Sequence, residues 1–169
     1  MIASLGNFTL WLSLCFAVLQ FVVSYKRNVL SLLKFNKIAV NGLLLCVLVS
    51  FVSLIYSHVV SDFSVLNVFQ NSHTTKPLLY KVSGVWGNHE GSMLLWVLVL
   101  AIFNYFMYNL YNQKNSIFIS KALETQAFIT IGFLLFTLLT SNPFEKIFPT
   151  QPNGLGFNPL LQDPALAIH

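Results

Sequence analysis

Apolar residues run along this chain in four long stretches, broken by polar segments that favour loops. The stretches cover about 5–24, 38–57, 92–111 and 122–141. A helix of about 20 residues is about 30 Å long, the thickness of the hydrocarbon core, so each stretch predicts a membrane-spanning helix. The fourth begins with Lys121 and Glu124 at its edge, at headgroup depth, and is uncharged from Ala127 to Thr140. Between the second and third stretches, Tyr80 and Val82 alternate with Lys81 and Ser83 after a polar turn at Gln70–Lys76. That alternation predicts a short hairpin at the membrane surface. Residues 142–169 hold five of the six prolines, and Asn142-Pro143, Asn158-Pro159 and Asp163-Pro164 read as turn starts. The expected fold is an all-α integral membrane protein: a four-span region over 1–141, and an irregular Pro-rich tail over 142–169.

Composition agrees. Of 169 residues, 56% are hydrophobic and 8% charged, with a mean hydropathy of +0.71. Soluble domains carry roughly 25% charged residues, so a soluble or disordered chain is excluded. A net charge of +4 from dispersed residues provides no basic face for nucleic acid. Lys26, Arg27, Lys34, Lys37, Lys114 and Lys121 fall between spans one and two or three and four, against Lys76, Lys81 and Lys146 on the opposite side. The positive-inside rule then turns both termini, the 58–91 loop and the tail outward, toward the periplasm or the intermembrane space. The basic, apolar 26–37 connection is expected on the inner surface. The first apolar run is too long for a signal-peptide core and no Arg-rich transit segment is visible, so no cleaved leader is expected. The 16 Phe and many Asn fit an AT-rich, organelle-encoded gene.

None of the spans carries Lys, Arg, Asp or Glu near its centre, which argues against proton or ion conduction by this chain alone. Asn41 and Asn104 are the polar intruders, suited to bonding between helices. Cys15 and Cys46 lie in apolar runs with no C-x-x-C, so buried thiols acting as small hydrophobes are expected. His73 falls in the polar turn and His58 closes the second span. His89 lies in Trp86-Gly87-Asn88-His89-Glu90-Gly91-Ser92, just before the third. There Trp86 suits an interfacial anchor, Glu90 the positive end of a helix, and the glycines a tight turn. His169, at the last position, carries an imidazole of the kind that ligates haem iron.

Tyr80–Trp96 (YKVSGVWGNHEGSMLLW), Gly132–Phe144 (GFLLFTLLTSNPF) and Asn158–His169 (NPLLQDPALAIH) together resemble the amino-terminal part of the CcmF family, most of all the amino-terminal half proteins of plant-type mitochondria. The resemblance implies system I cytochrome c maturation, in which CcmF takes haem from the CcmE chaperone and joins it to the C-x-x-C-H thiols of apocytochrome c, with CcmH-like thiol reductants as partners. It implies a transient haem, shared between polypeptides, and places His169 as a candidate axial ligand to the haem iron. Trp86, Gly87, His89, Glu90 and Gly91 match a family motif to which no chemical role is carried over. The family's tryptophan-rich WWD segment, second outer histidine and intramembrane histidines are absent from this sequence, so remaining CcmF polypeptide(s) would have to supply them and no catalytic residue is assigned here. The implied function is an amino-terminal part of a haem lyase in the mitochondrial inner membrane, or the bacterial inner membrane if the gene is not organellar. A structural or assembly subunit without haem contact, and a non-functional gene fragment, are the alternatives.

Overall fold

A computed structural model describes residues 1–25, 33–111 and 117–156, without the side chains of residues 33, 34, 110, 111 and 117. Among the described residues six helices follow in order: α1 Ile2–Tyr25, α2 Leu33–Val59, α3 Leu66–Asn71, α4 Leu78–Ser83, α5 His89–Tyr111 and α6 Ile117–Thr140. The long ones, α1, α2, α5 and α6, are the four expected spans, and all are long and apolar enough to cross a membrane. Helices are the form an apolar chain takes there, because every backbone N–H and C=O must be satisfied within the segment. Each span reaches past its apolar window at one end or both; α6 begins one turn early and places Lys121 and Glu124 in an ion pair of 2.8 Å.

The four spans close a ring in the order α1, α2, α5, α6, each packing on two neighbours. Leu10, Leu43, Leu54, Leu94 and Leu134 are fully buried at its centre. Two close approaches tighten it: Gly42 of α2 faces the Phe16 ring of α1, and Gly6 of α1 receives the Phe144 ring from beyond α6. Across the ring, Gln20 and Asn104, both wholly buried, exchange side-chain amide bonds of 2.8 and 2.6 Å. Gln20 also donates to the Leu123 carbonyl at 3.3 Å. Asn104 thus makes the interhelical bond expected of it, whereas the buried Asn41 Oδ1 has no partner. Of the cysteines, Cys46 is buried as expected, but Cys15 lies on the exposed flank of α1.

The expected hairpin does not form. Residues 66–71 and 78–83 are helical, and among the described residues the β pairing is a single antiparallel bridge, Val65 with Lys146. Pro77 sits directly before α4, where its missing N–H costs nothing and its fixed φ starts a helix. Four alternating residues are about one helical turn, too few to set a strand against that signal. Residues 26–32 of the basic connection, and the tail from 157 onward, fall outside the described residues.

Candidate functional site

One end of the bundle carries a cap built from α3, α4, the turn leading into α5, and the tail through Gly156. Its foundation is the end of α2. Ser61 adopts φ 57°, Asp62 N–H bonds the Ser57 carbonyl at 2.9 Å, and Ser61 N–H bonds that of His58 at 3.2 Å. This pair of reversed bonds stops the helix in a left-handed cap. Asp62 then accepts from Ser64 N–H and Oγ at 3.2 and 2.6 Å, turning the chain into α3.

The Trp86–Ser92 stretch is the joint between this cap and α5. Asn88 is the N-cap of α5: its Oδ1 accepts the Gly91 N–H at 2.8 Å. The same oxygen accepts from Asn67 Nδ2 of α3 at 2.7 Å, while Asn88 Nδ2 donates to the Gly84 carbonyl at 2.9 Å. Glu90, in the first turn of α5 as expected, accepts from Asn67 Nδ2 at 3.3 Å. Gly91 has a steric rather than a conformational reason: a Cβ there would lie 1.5 Å from the Val85 carbonyl oxygen. Trp86 packs half-buried against the core. His89 is the exposed member of the motif, its ring edge-on to Phe136 of α6 with centroids 6.0 Å apart.

The tail folds back over the cap as a strap. Leu66 N–H bonds the Glu145 carbonyl at 2.8 Å, and Ile147 N–H bonds that of Ser64 at 3.0 Å. Further on, Leu155 N–H reaches the Phe69 carbonyl at 2.8 Å and Gly156 N–H that of Ser72 at 3.1 Å. Gly154 permits this, since a Cβ would meet the Ser72 carbonyl oxygen at 2.1 Å. Between the strap and α4 lies a cleft of about 540 Å³, lined by His73, Thr75, Lys76, Pro77, Tyr80 and Leu155 among others. Lys76 Nζ donates to the Asn71 carbonyl at 3.0 Å. Burial first, and repulsion from Lys81 second, lower its pKa from 10.5 to about 8. The cleft therefore offers cationic and hydroxyl donors, a setting for an anionic group.

The histidines divide. His73 is held by Thr75, whose hydroxyl lies 2.8 Å from its Nδ1. His58, in the last turn of α2, is wholly buried; its Nδ1 bonds the Leu54 carbonyl at 3.1 Å and its Nε2 has no partner among the described residues. His169 lies outside the described residues. Among the described residues no three His, Cys, Asp or Glu side chains gather where they could hold a metal ion. Sequence reasoning missed Asn67 and Gln20. Asn67 carries no local signal, and Gln20 was legible only as an amide within an apolar run.

The family model for "Cytochrome C assembly protein" matches residues 86–169. The cytochrome c-type biogenesis protein CycK of Rhizobium meliloti is 44% identical over 175 residues, covering 100% of this chain and 25% of the relative. CcmF of Haemophilus influenzae is 37% identical over 173 residues, covering 100% of this chain and 27% of the relative. This chain belongs to the CcmF family. A solved structure titled cytochrome c heme lyase CcmF superposes with a TM-score of 0.77 at 27% identity, over 86% of this chain and 25% of that one. The chain spans about a quarter of the length of the CcmF relatives it matches. Within it, the CcmF-family joint at Trp86–Ser92 is where the match to the assembly family begins, so α5, α6 and the strap lie inside it and α1 to α4 before it.

Proposed function

We propose that this chain is the amino-terminal module of a CcmF-type haem lyase, which joins haem to apocytochrome c thiols during cytochrome c biogenesis. The observation that carries the reading is the similarity along the whole chain to cytochrome c-type biogenesis proteins, together with the same helical fold as a solved CcmF. In that reaction each cysteine S–H adds across a haem vinyl group, the double bond becoming one C–S and one C–H bond. The remaining three quarters of the relatives' length, on the same or another polypeptide, would bring the WWD segment. A CcmE-like haem chaperone, a CcmH-like reductant and apocytochrome c would be the partners. The membrane is the mitochondrial inner membrane, with the cap facing the intermembrane space; in a bacterium the equivalent face is periplasmic.

The share of this module is positional. The joint at Asn88 and Gly91 fixes the cap on α5, and the strap holds the chain against Ser72 immediately before the segment that ends at His169. His169 is then an axial ligand to the haem iron, carried on a tail whose root is tied down. Replacing His169 by alanine in the native membrane tests this: holocytochrome c, read by haem staining, should fall at least tenfold, along with haem recovered on the purified complex. Maturation at the original level would overturn the ligand role and leave the module as a scaffold without haem contact.

A further inference from the structure

The flank of α5 and α6 away from the ring centre carries an apolar groove of about 630 Å³, lined by Met93, Phe128, Ile129, Gly132, Phe133 and Phe136 among others. Three glycines within the other long helices each serve a contact inside the chain: Gly6 faces Phe144, Gly42 faces Phe16, and Gly91 faces the Val85 carbonyl. Gly132 does not, for a Cβ built on it meets nothing within 4 Å. A glycine in a helix interior weakens the helix relative to alanine, and here nothing among the described residues offsets that. In membranes, small residues mark places where helices approach closely, because shape fit rather than water exclusion drives the association. α6 is also the least buried of the four spans, with Phe128 and Leu139 well exposed.

We propose that this groove is the seat of a transmembrane helix from the remaining part of the haem lyase, with a large apolar side chain of that helix set over Gly132. The inference rests on the proposed function. It is favoured over a lipid-only surface by where the family match falls. The chain spans a quarter of its relatives, and the assembly-family match takes in α5 and α6 but neither α1 nor α2. The helices shared with that family should therefore carry the face toward the rest of it, and theirs is the face with the idle glycine.

A benzophenone amino acid at Phe128, in the native membrane, should cross-link to a helix from the part of CcmF beyond this module, identified by peptide mass spectrometry. The same probe at Val52, exposed on α2, should not. Gly132→Leu extends into the groove from a Cβ position with no neighbour within 4 Å, so its level in the membrane should match the parent, while the cross-link and holocytochrome c both drop at least fivefold. If Phe128 labels lipid alone, or Gly132→Leu changes neither readout, the docking inference is overturned and the proposed function stands. If cytochrome c maturation proceeds normally without the chain, the proposed function falls and the docking falls with it.

Discussion

Gly91→Ala is the sharpest probe of the joint between cap and bundle. The added methyl would sit 1.5 Å from the Val85 carbonyl oxygen and 2.7 Å from its carbon. It is roughly 1.9 Å short of the 3.4 Å at which ordinary contact begins, and the obstacle is backbone, so no side-chain rotation relieves it. The first turn of α5 must shift, or the turn at Val85 must open. Overpacking against a fixed neighbour costs about 1–3 kcal/mol. Movement also strains the Gly91 N–H bond to Asn88, and losing an N-cap costs about 1 kcal/mol more. The sum is about 2–4 kcal/mol, which for a chain of this size lowers the melting temperature by about 5–15 °C. The assay is thermal unfolding in mild detergent beside Gly132→Ala, which meets no neighbour and should melt at or above the parent temperature. A Gly91→Ala protein that melts with the parent would refute the close approach.

Gln20→Leu or Asn104→Leu alone leaves a buried amide unpaired and should destabilise by about 1–3 kcal/mol, whereas the double variant should recover most of the loss. Additive losses in a thermal double-mutant cycle would show that the two amides do not pair. Lys76, whose pKa is lowered to about 8, should make stability rise with pH. Below about 8 both folded and unfolded chains keep the proton, and the cost of burying the charge is fully present. Between about 8 and 10.5 the folded chain has released a proton that the unfolded chain still binds, so the cost is relieved. The parent should therefore gain melting temperature relative to Lys76→Gln between pH 7 and 9.5; parallel curves would contradict it.

The spans were legible because 20 apolar residues in a row have few other folds open to them. Their ends were less so, since polar residues such as Asn36 and His89 continue a helix once they leave the hydrocarbon. The alternation at Tyr80–Ser83 imitates a strand, but Pro77 marks the start of α4 and the segment is helical. In the Trp86–Ser92 motif, a helix-starting Glu90 could be read from residue type. What Gly91 does could not, because it depends on the carbonyl of Val85 coming within a bond length of a missing methyl. Likewise Gln20 acquires meaning only with its partner 84 positions later.

That distance bears on how the membrane region sets its own depth. Apolar helices can slide along one another at little cost, since one greasy turn resembles the next. The Gln20–Asn104 amide pair is an index mark: a slide of one turn, about 5.4 Å, would break both of its bonds. Without Asn104, Gln20 would keep a buried amide short of its partner, so the pair favours the one depth of α5 against α1 that answers it. The cap is thus joined to a bundle whose vertical alignment is fixed from within.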